Sequence, residues 1–138
     1  MQPDLTRRSG LVELPLIPDQ RGNLTFVEGV NHVPFEIKRA YWIYDVPGGA
    51  HRGGHAYHQL EELVIALSGS FEVSVDDGVQ RSSFTLNRGY VGLYIPATTW
   101  RTLTHFSTNA VCLCLASAPY DESDYIRSYP EFLELVAP

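Results

Sequence analysis

An all-β fold is the class this sequence predicts, and three observations carry it. Eight Tyr, six Phe and two Trp sit among eleven Gly and nine Pro, a composition that favours short strands and tight turns over long helices. Short runs in which apolar and polar residues alternate recur from Leu11 to Ala116, as expected of strands with one face buried. Turn chemistry separates them, as in Asp19-Gln-Arg-Gly22, Asp76-Asp-Gly78 and Asn87-Arg-Gly89. Strands at this spacing point to a sandwich or barrel. A length of 138 residues suits one domain with a real core, so residues 1–138 are read as a single domain.

The first element is Leu11-Val-Glu-Leu-Pro-Leu-Ile-Pro, an edge strand because its prolines cannot donate to a ladder. Asp19–Gly22 turns it toward Asn23–Glu28, so Leu11–Glu28 is predicted to be a hairpin. From Ile37 to Val46 the alternation sends Lys38, Ala40, Trp42 and Tyr44 to one side and Ile37, Arg39, Tyr41, Ile43 and Asp45 to the other, with neither side cleanly polar. Glu62–Leu67 is an apolar strand, Phe71–Asp76 and Val79–Leu86 form a hairpin across Asp76-Asp77-Gly78, and Tyr90–Pro96, Trp100–His105 and Ala110–Ala116 complete the series. Only the tail changes character. Acidic residues after Pro119 suit a first helical turn, and Tyr129–Val136 reads as a short helix opened by proline, both peripheral to the barrel.

Ten Lys+Arg against sixteen Asp+Glu leave a formal charge of −6, which provides no basic field for nucleic acid, although a few local arginines could still hold one phosphorylated small molecule. Cys112 and Cys114 share a strand face two residues apart, a spacing poor for a disulfide and short of the partner cysteines a zinc site needs. They read as buried free thiols, which suits a reducing cytoplasm. No apolar run approaches bilayer length, and the first residues lack a signal-peptide stretch.

The densest chemistry lies between Gly49 and Gly69, where His51, Arg52, His55, Tyr57, His58 and Glu62 lead into an apolar strand. Polar groups at that density are costly to bury unless paired or used. Gly49, His55, Glu62 and Gly69 match the first cupin motif in register, with Tyr57 where a second histidine would stand. Residues two apart on a strand point the same way, so His55 and Tyr57 are expected to face the barrel interior and His58 to face out. A metal-binding cupin draws a further histidine from beyond a Pro-x-Gly turn. Counted from Pro96-Ala-Thr98, that position is Arg101, which has no lone pair to offer. The donor set therefore does not fit a transition metal, and a metal-free pocket is expected, with no cofactor. His55 with phenols and fixed positive charge suits proton transfer on a phosphorylated substrate. His32 reads as a turn residue, Trp100 as packing, and Asp76-Asp77 as hairpin chemistry.

The chain resembles the sugar-nucleotide 3,4-ketoisomerases, also described as WxcM-like, through Arg21-Gly22, Pro34-Phe-x-Ile37-Lys38-Arg39-x-Tyr41, Arg52-Gly53-x-His55-Ala56, Gly69-Ser70, Asp76-Asp77-Gly78, Val91-Gly-Leu-Tyr94, Trp100-Arg101 and Tyr120-Asp-Glu-x-Asp-Tyr-Ile-Arg127. The resemblance implies a cupin-type jelly roll with short C-terminal helical segments, without metal, acting on a dTDP-4-keto-6-deoxyhexose as a homodimer that exchanges N-terminal strands. It further implies that His55 removes the proton at C3, with Tyr57 and Arg101 in the catalytic set and Arg21, Tyr41, Arg52 and Glu62 in the substrate-binding set. One departure is visible: the family commonly has His-Ala-His where this chain has His55-Ala56-Tyr57. Members also differ in the face from which C4 is protonated, and the residues at the Arg21 and Arg101 positions vary with it. Two other sugar-nucleotide readings compete, a 3,5-epimerase and a non-catalytic binding cupin, and a metal-dependent cupin is the fourth.

Overall fold

A computed structural model describes residues 8–138. Two five-stranded antiparallel sheets face one another, ordered β1-β9-β6-β11-β4 and β12-β5-β10-β7-β8, and β2-β3 forms a small separate ribbon. The first sheet is built from β1 (Gly10–Glu13), β4 (Arg39–Ile43), β6 (Glu62–Ser68), β9 (Val91–Ile95) and β11 (Val111–Ala116). The second contains β5 (Arg52–Tyr57), β7 (Phe71–Asp76), β8 (Arg81–Leu86), β10 (Trp100–Thr104) and β12 (Tyr125–Ile126). This is one of the two architectures that the alternating pattern predicts, a sandwich, in the jelly-roll form that the resemblance implies.

The apolar core lies between the sheets. Val64, Ala66, Leu93, Ile95, Cys112 and Cys114 from the first sheet meet Phe71, Val73, Val75, Leu86 and Leu103 from the second. Strands β6 and β9 are apolar on both faces because Leu63, Ile65 and Tyr94 are covered from outside by Leu14, Val33 and Phe35. Both cysteines are buried and unbridged, with their sulfurs 3.8 Å apart.

The N-terminal hairpin needs correction. Gly10–Glu13 pairs with β9 rather than with the following segment, and only Leu16–Ile17 (β2) and Leu24–Thr25 (β3) form a ribbon. Pro15 separates the two pieces; once the chain leaves the ladder there, Leu14 returns its amide to the Tyr90 carbonyl at 2.8 Å. As expected of a proline-flanked segment, β1 is an edge strand.

The tail also differs from expectation in its first half. Acidic residues after Pro119 form a single 3₁₀ turn over Glu122–Asp124, capped by the Asp121 side chain, and Tyr125–Ile126 then adds a strand to β5. Asp124 is consumed in anchoring this turn, accepting from the Gln59 and Leu60 amides at 3.0 and 3.1 Å, so no helix propagates. The final helix, α1 (Tyr129–Val136), is as predicted, with Ser128 as its cap and proline in the first turn. Phe132 seals it onto Ala56, Ile126 and Trp100, a burial that contributes about 1.5–3 kcal/mol. Trp100 is thus packing, in contact with Tyr129 and Phe132.

Candidate active site

Four strands converge on one end of the barrel. On β5, His55 and Tyr57 both face inward, Tyr57 almost fully buried, while His58 is exposed. Gly53 permits the close approach of β10: its φ is +86°, and a Cβ there would stand 3.1 Å from the Arg101 carbonyl oxygen. That approach puts Arg101 directly opposite His55 in the ladder. The preceding turn is the one inferred by counting from Pro96, with Thr98 in the left-handed conformation at φ +54° where a glycine would usually stand.

Arg101 is 1% exposed, and its charge is met inside the barrel. One guanidinium nitrogen donates to Glu62 Oε1, another to the Thr99 carbonyl at 3.1 Å. The other Glu62 oxygen accepts from the Tyr41 hydroxyl at 2.8 Å. Glu62 lines the cavity with both oxygens engaged by protein, so that it holds Arg101 and Tyr41 in place. A carboxylate in that state does not fit a metal-ligand role, and its neighbours are a guanidinium and a phenol. Arg101 also lies over the Tyr57 ring, 4.9 Å from its centroid.

His55 is the group left available. Its Nε2 is buried without a hydrogen-bond partner, and its rings are in contact with Tyr57 at 4.9 Å and Tyr125 at 5.1 Å. Burial, then the nearby Arg101 charge, lower its pKa to about 4, so the imidazole is neutral at neutral pH and can accept a proton. Tyr57 is shifted the other way, raised by burial, by the Glu62 charge and by its hydrogen bond with Tyr125. Tyr41 is likewise raised, first by burial and then by Glu62. Both phenols keep their protons.

These side chains enclose a cavity of about 370 Å³ that also reaches Ile43, His51, Arg52, Leu103, Cys114 and Arg127. It brings together six of the seven residues expected from the sequence: Tyr41, Arg52, His55, Tyr57, Glu62 and Arg101. Arg21 stands apart, 90% exposed in its side chain at the β2–β3 turn and paired with Asp19 at 2.9 Å. Two participants escaped the sequence reading. Tyr125 packs against His55 and Tyr57, and Arg127 covers Tyr125 at 4.2 Å while paired with Glu122 at 2.7 Å. Their signal was the unusual motif Tyr120–Arg127, which a tail assigned to peripheral helix had no reason to deliver into a barrel.

A jelly roll whose interior carries a neutral histidine with a free Nε2 among phenols and a buried guanidinium has the side chains of a metal-free cupin site. The family model described as FdtA: WxcM-like, C-terminal, matches residues 7–137, and the chain belongs to that family. It is 40% identical over 127 residues to the TDP-4-oxo-6-deoxy-alpha-D-glucose-3,4-oxoisomerase of Aneurinibacillus thermoaerophilus, covering 92% of this chain and 91% of the relative. Among solved structures, a 3,4-ketoisomerase from Helicobacter canadensis superposes with a TM-score of 0.90 at 41% identity, covering 94% and 98% of the two chains. A variant of the 3,4-ketoisomerase QdtA from Thermoanaerobacterium thermosaccharolyticum, in complex with TDP-4-keto-6-deoxyglucose, gives 0.91 at 35% identity and 96% coverage of each.

Proposed function

We propose that this chain is a sugar-nucleotide 3,4-ketoisomerase that converts a TDP-4-keto-6-deoxyhexose, with TDP-4-keto-6-deoxyglucose as the first candidate, to its 3-keto isomer. The observation that carries the reading is the His55 Nε2, buried, unpartnered and neutral, facing a sugar-sized cavity in a chain whose relatives carry that activity. His55 takes the proton from C3. The C3–H electron pair becomes the C3–C4 double bond, and negative charge develops on the C4 oxygen. Arg101, held in place by Glu62, supplies the fixed positive charge of the site. A proton from the phenol side of the pocket, where Tyr57 stands in the place of the family's second histidine, completes the enediol. Loss of the O3 proton and protonation of C4 then give the 3-ketone. Tyr41 and Arg52 line the sugar site, with Arg52 exposed at its rim.

We further infer a homodimer that exchanges N-terminal strands in a reducing, cytoplasmic setting. Leu16, Ile17, Leu24, Val30, Trp42 and Tyr44 are all exposed, an apolar excess that a second copy would cover. The edge position of β1 is one that the same strand of a partner could fill, and Arg21 travels with that arm. No helix among the described residues is long and apolar enough to cross a membrane.

The test is incubation with TDP-4-keto-6-deoxyglucose in D₂O. Ketoisomerisation places deuterium at C4 of a 3-keto product. Label at C3 and C5 of an unchanged 4-ketone would instead identify a 3,5-epimerase, and tight TDP binding without label would identify a binding protein. Light scattering in solution measures the oligomer, and a monomer would remove the strand-exchange inference.

A further inference from the structure

The aromatic wall beside His55 is held by more than the sheet it belongs to. Strand β12 pairs with β5 through two residues, Tyr125 opposite Tyr57 and Ile126 opposite Ala56, at an edge of its sheet. So short a ladder fixes little by itself. Anchors lie on either side of Tyr125. Asp124 accepts from the Gln59 and Leu60 amides, its carbonyl accepts from the His58 amide at 2.9 Å, and Ile126 is buried with Ala56 and Phe132. These contacts fix the backbone; the direction of the Tyr125 ring needs a further cause.

That cause is a clasp formed within the tail. The Arg127 guanidinium lies over the Tyr125 ring, 4.2 Å from its centroid. Glu122 grips the guanidinium at two points, accepting from Nε at 2.7 Å and from Nη2 at 2.9 Å, and the Tyr120 hydroxyl donates to the same carboxylate. Both members of the pair are more than half exposed, so it contributes little to stability. A two-point grip does fix orientation, and the plane so fixed is the one that covers Tyr125. The ring in turn meets Tyr57 and His55, at 4.6 and 5.1 Å between centroids. Tyr125 and Arg127 line the His55 cavity, whereas Glu122 does not.

We propose that Tyr125 is a positioning residue for the reaction: its ring, locked by the Arg127–Glu122 clasp, keeps His55 in line with the sugar and keeps water from the Nε2. The proposal rests on the proton-transfer reading given above. A base displaced by a fraction of an ångström loses much of its rate, and the unpartnered Nε2 stays free for the C3 proton only while no water occupies it. The charges around His55 are Arg101 from β10, Glu62 from β6, and Arg127 and Glu122 from the tail, with Arg52 and His51 at the rim. The phenols of Tyr57, Tyr41 and Tyr125 and the Cys114 thiol complete its surroundings. Burial is the first cause of its lowered pKa, so opening the wall should raise that pKa.

Two readouts test the proposal on wild type, Tyr125→Ala, Tyr125→Phe and Glu122→Gln: titration of the His55 ring followed by NMR, which needs no substrate, and steady-state turnover of TDP-4-keto-6-deoxyglucose. Tyr125→Ala should lower kcat by about 10- to 100-fold with little change in KM, and should move the His55 pKa from about 4 toward its ordinary value. Tyr125→Phe keeps the ring and should recover most of the lost turnover together with the low His55 pKa. Turnover equal to wild type in Tyr125→Ala would overturn the proposal, as would a Phe variant as slow as the Ala variant, which would assign the effect to the hydroxyl. Should Tyr125→Ala fail to fold, Glu122→Gln decides, because it breaks an exposed pair outside the cavity. By charge alone, loss of that carboxylate would lower the His55 pKa, since Glu122 raises it; an opened wall raises it instead. The expected result is a rise, with kcat reduced less than in Tyr125→Ala, and a fall in pKa or an unchanged kcat would overturn the proposal. Wild type that forms no 3-keto product would count against the reaction, and the NMR titrations would then decide the role of Tyr125 by themselves.

Discussion

The two ends of the barrel interior are made by the same strands and do opposite work. At one end Phe71, Leu86, Ala66 and Val73 close an apolar core; at the other, Tyr41, Glu62, Arg101, Tyr57 and His55 form a polar cluster almost as deeply buried. Strand β6 passes through both, beginning at Glu62 and continuing into Val64 and Ala66. The apolar end tolerates burial because it has nothing to satisfy. The polar end tolerates it because the charges of Glu62 and Arg101 meet each other inside the protein, and the histidine is kept uncharged. The contrast teaches that a buried polar cluster can leave a selected atom, the His55 Nε2, without a partner in a frame that satisfies its neighbours.

Exchanging the properties of the two ends should separate activity from stability. The largest effect is expected from His55→Asn, which removes the proposed base while keeping shape and polarity: kcat should fall by about 10²–10⁴-fold with an unchanged melting temperature, read by a coupled assay and calorimetry. At the opposite end, Phe71→Ala should cost about 3–5 kcal/mol in urea unfolding yet leave kcat per folded molecule within about twofold of wild type. Glu62→Gln should do both kinds of damage. It strands a buried guanidinium, a loss of about 3–5 kcal/mol, and it releases Arg101 and Tyr41, so turnover should drop as well.

A smaller effect is expected from pH. His55 is depressed to about 4 when folded and sits near 6.5 when unfolded. Between these values the unfolded state binds the extra proton, so stability should fall as pH drops from about 6.5 toward 4, and kcat should fall toward pH 4 as the base is protonated. His55→Asn should flatten that part of the stability profile, and a slope equal to wild type would show that other groups cause it. The smallest change is expected from Tyr57→His, which restores the residue common in the family: kcat should stay within about tenfold of wild type, with the acid limb moved, as measured by steady-state pH profiles.

Most of the frame was legible from period and turn chemistry, because strands such as Phe71–Asp76 and Val111–Ala116 have one face to bury and bend only where Gly, Asp or Asn allow it. What was misread involved pairings between residues far apart in the chain. Gly10–Glu13 joins β9, some eighty positions away, and nothing local distinguishes that from a hairpin with its neighbour. The site showed the same division. His55, Tyr57 and Arg101 follow from motif spacing, but the engagement of Glu62 by Arg101 and Tyr41 required three strands to be assembled, and Tyr125 became visible only once Tyr125–Ile126 was seen beside β5.

The strand Tyr125–Ile126 also has a consequence for biosynthesis. By Ala116 every strand of both sheets except this last one has been made, so a nascent chain could collapse into its sandwich while the wall against His55 is still inside the ribosome. Competence would then be acquired at a late, separable moment, when about ten further residues emerge and Tyr125 docks. A polypeptide ending near Ser117 should be catalytically silent, since it lacks the Tyr125 wall against His55 and the Phe132 seal over Ala56 and Trp100.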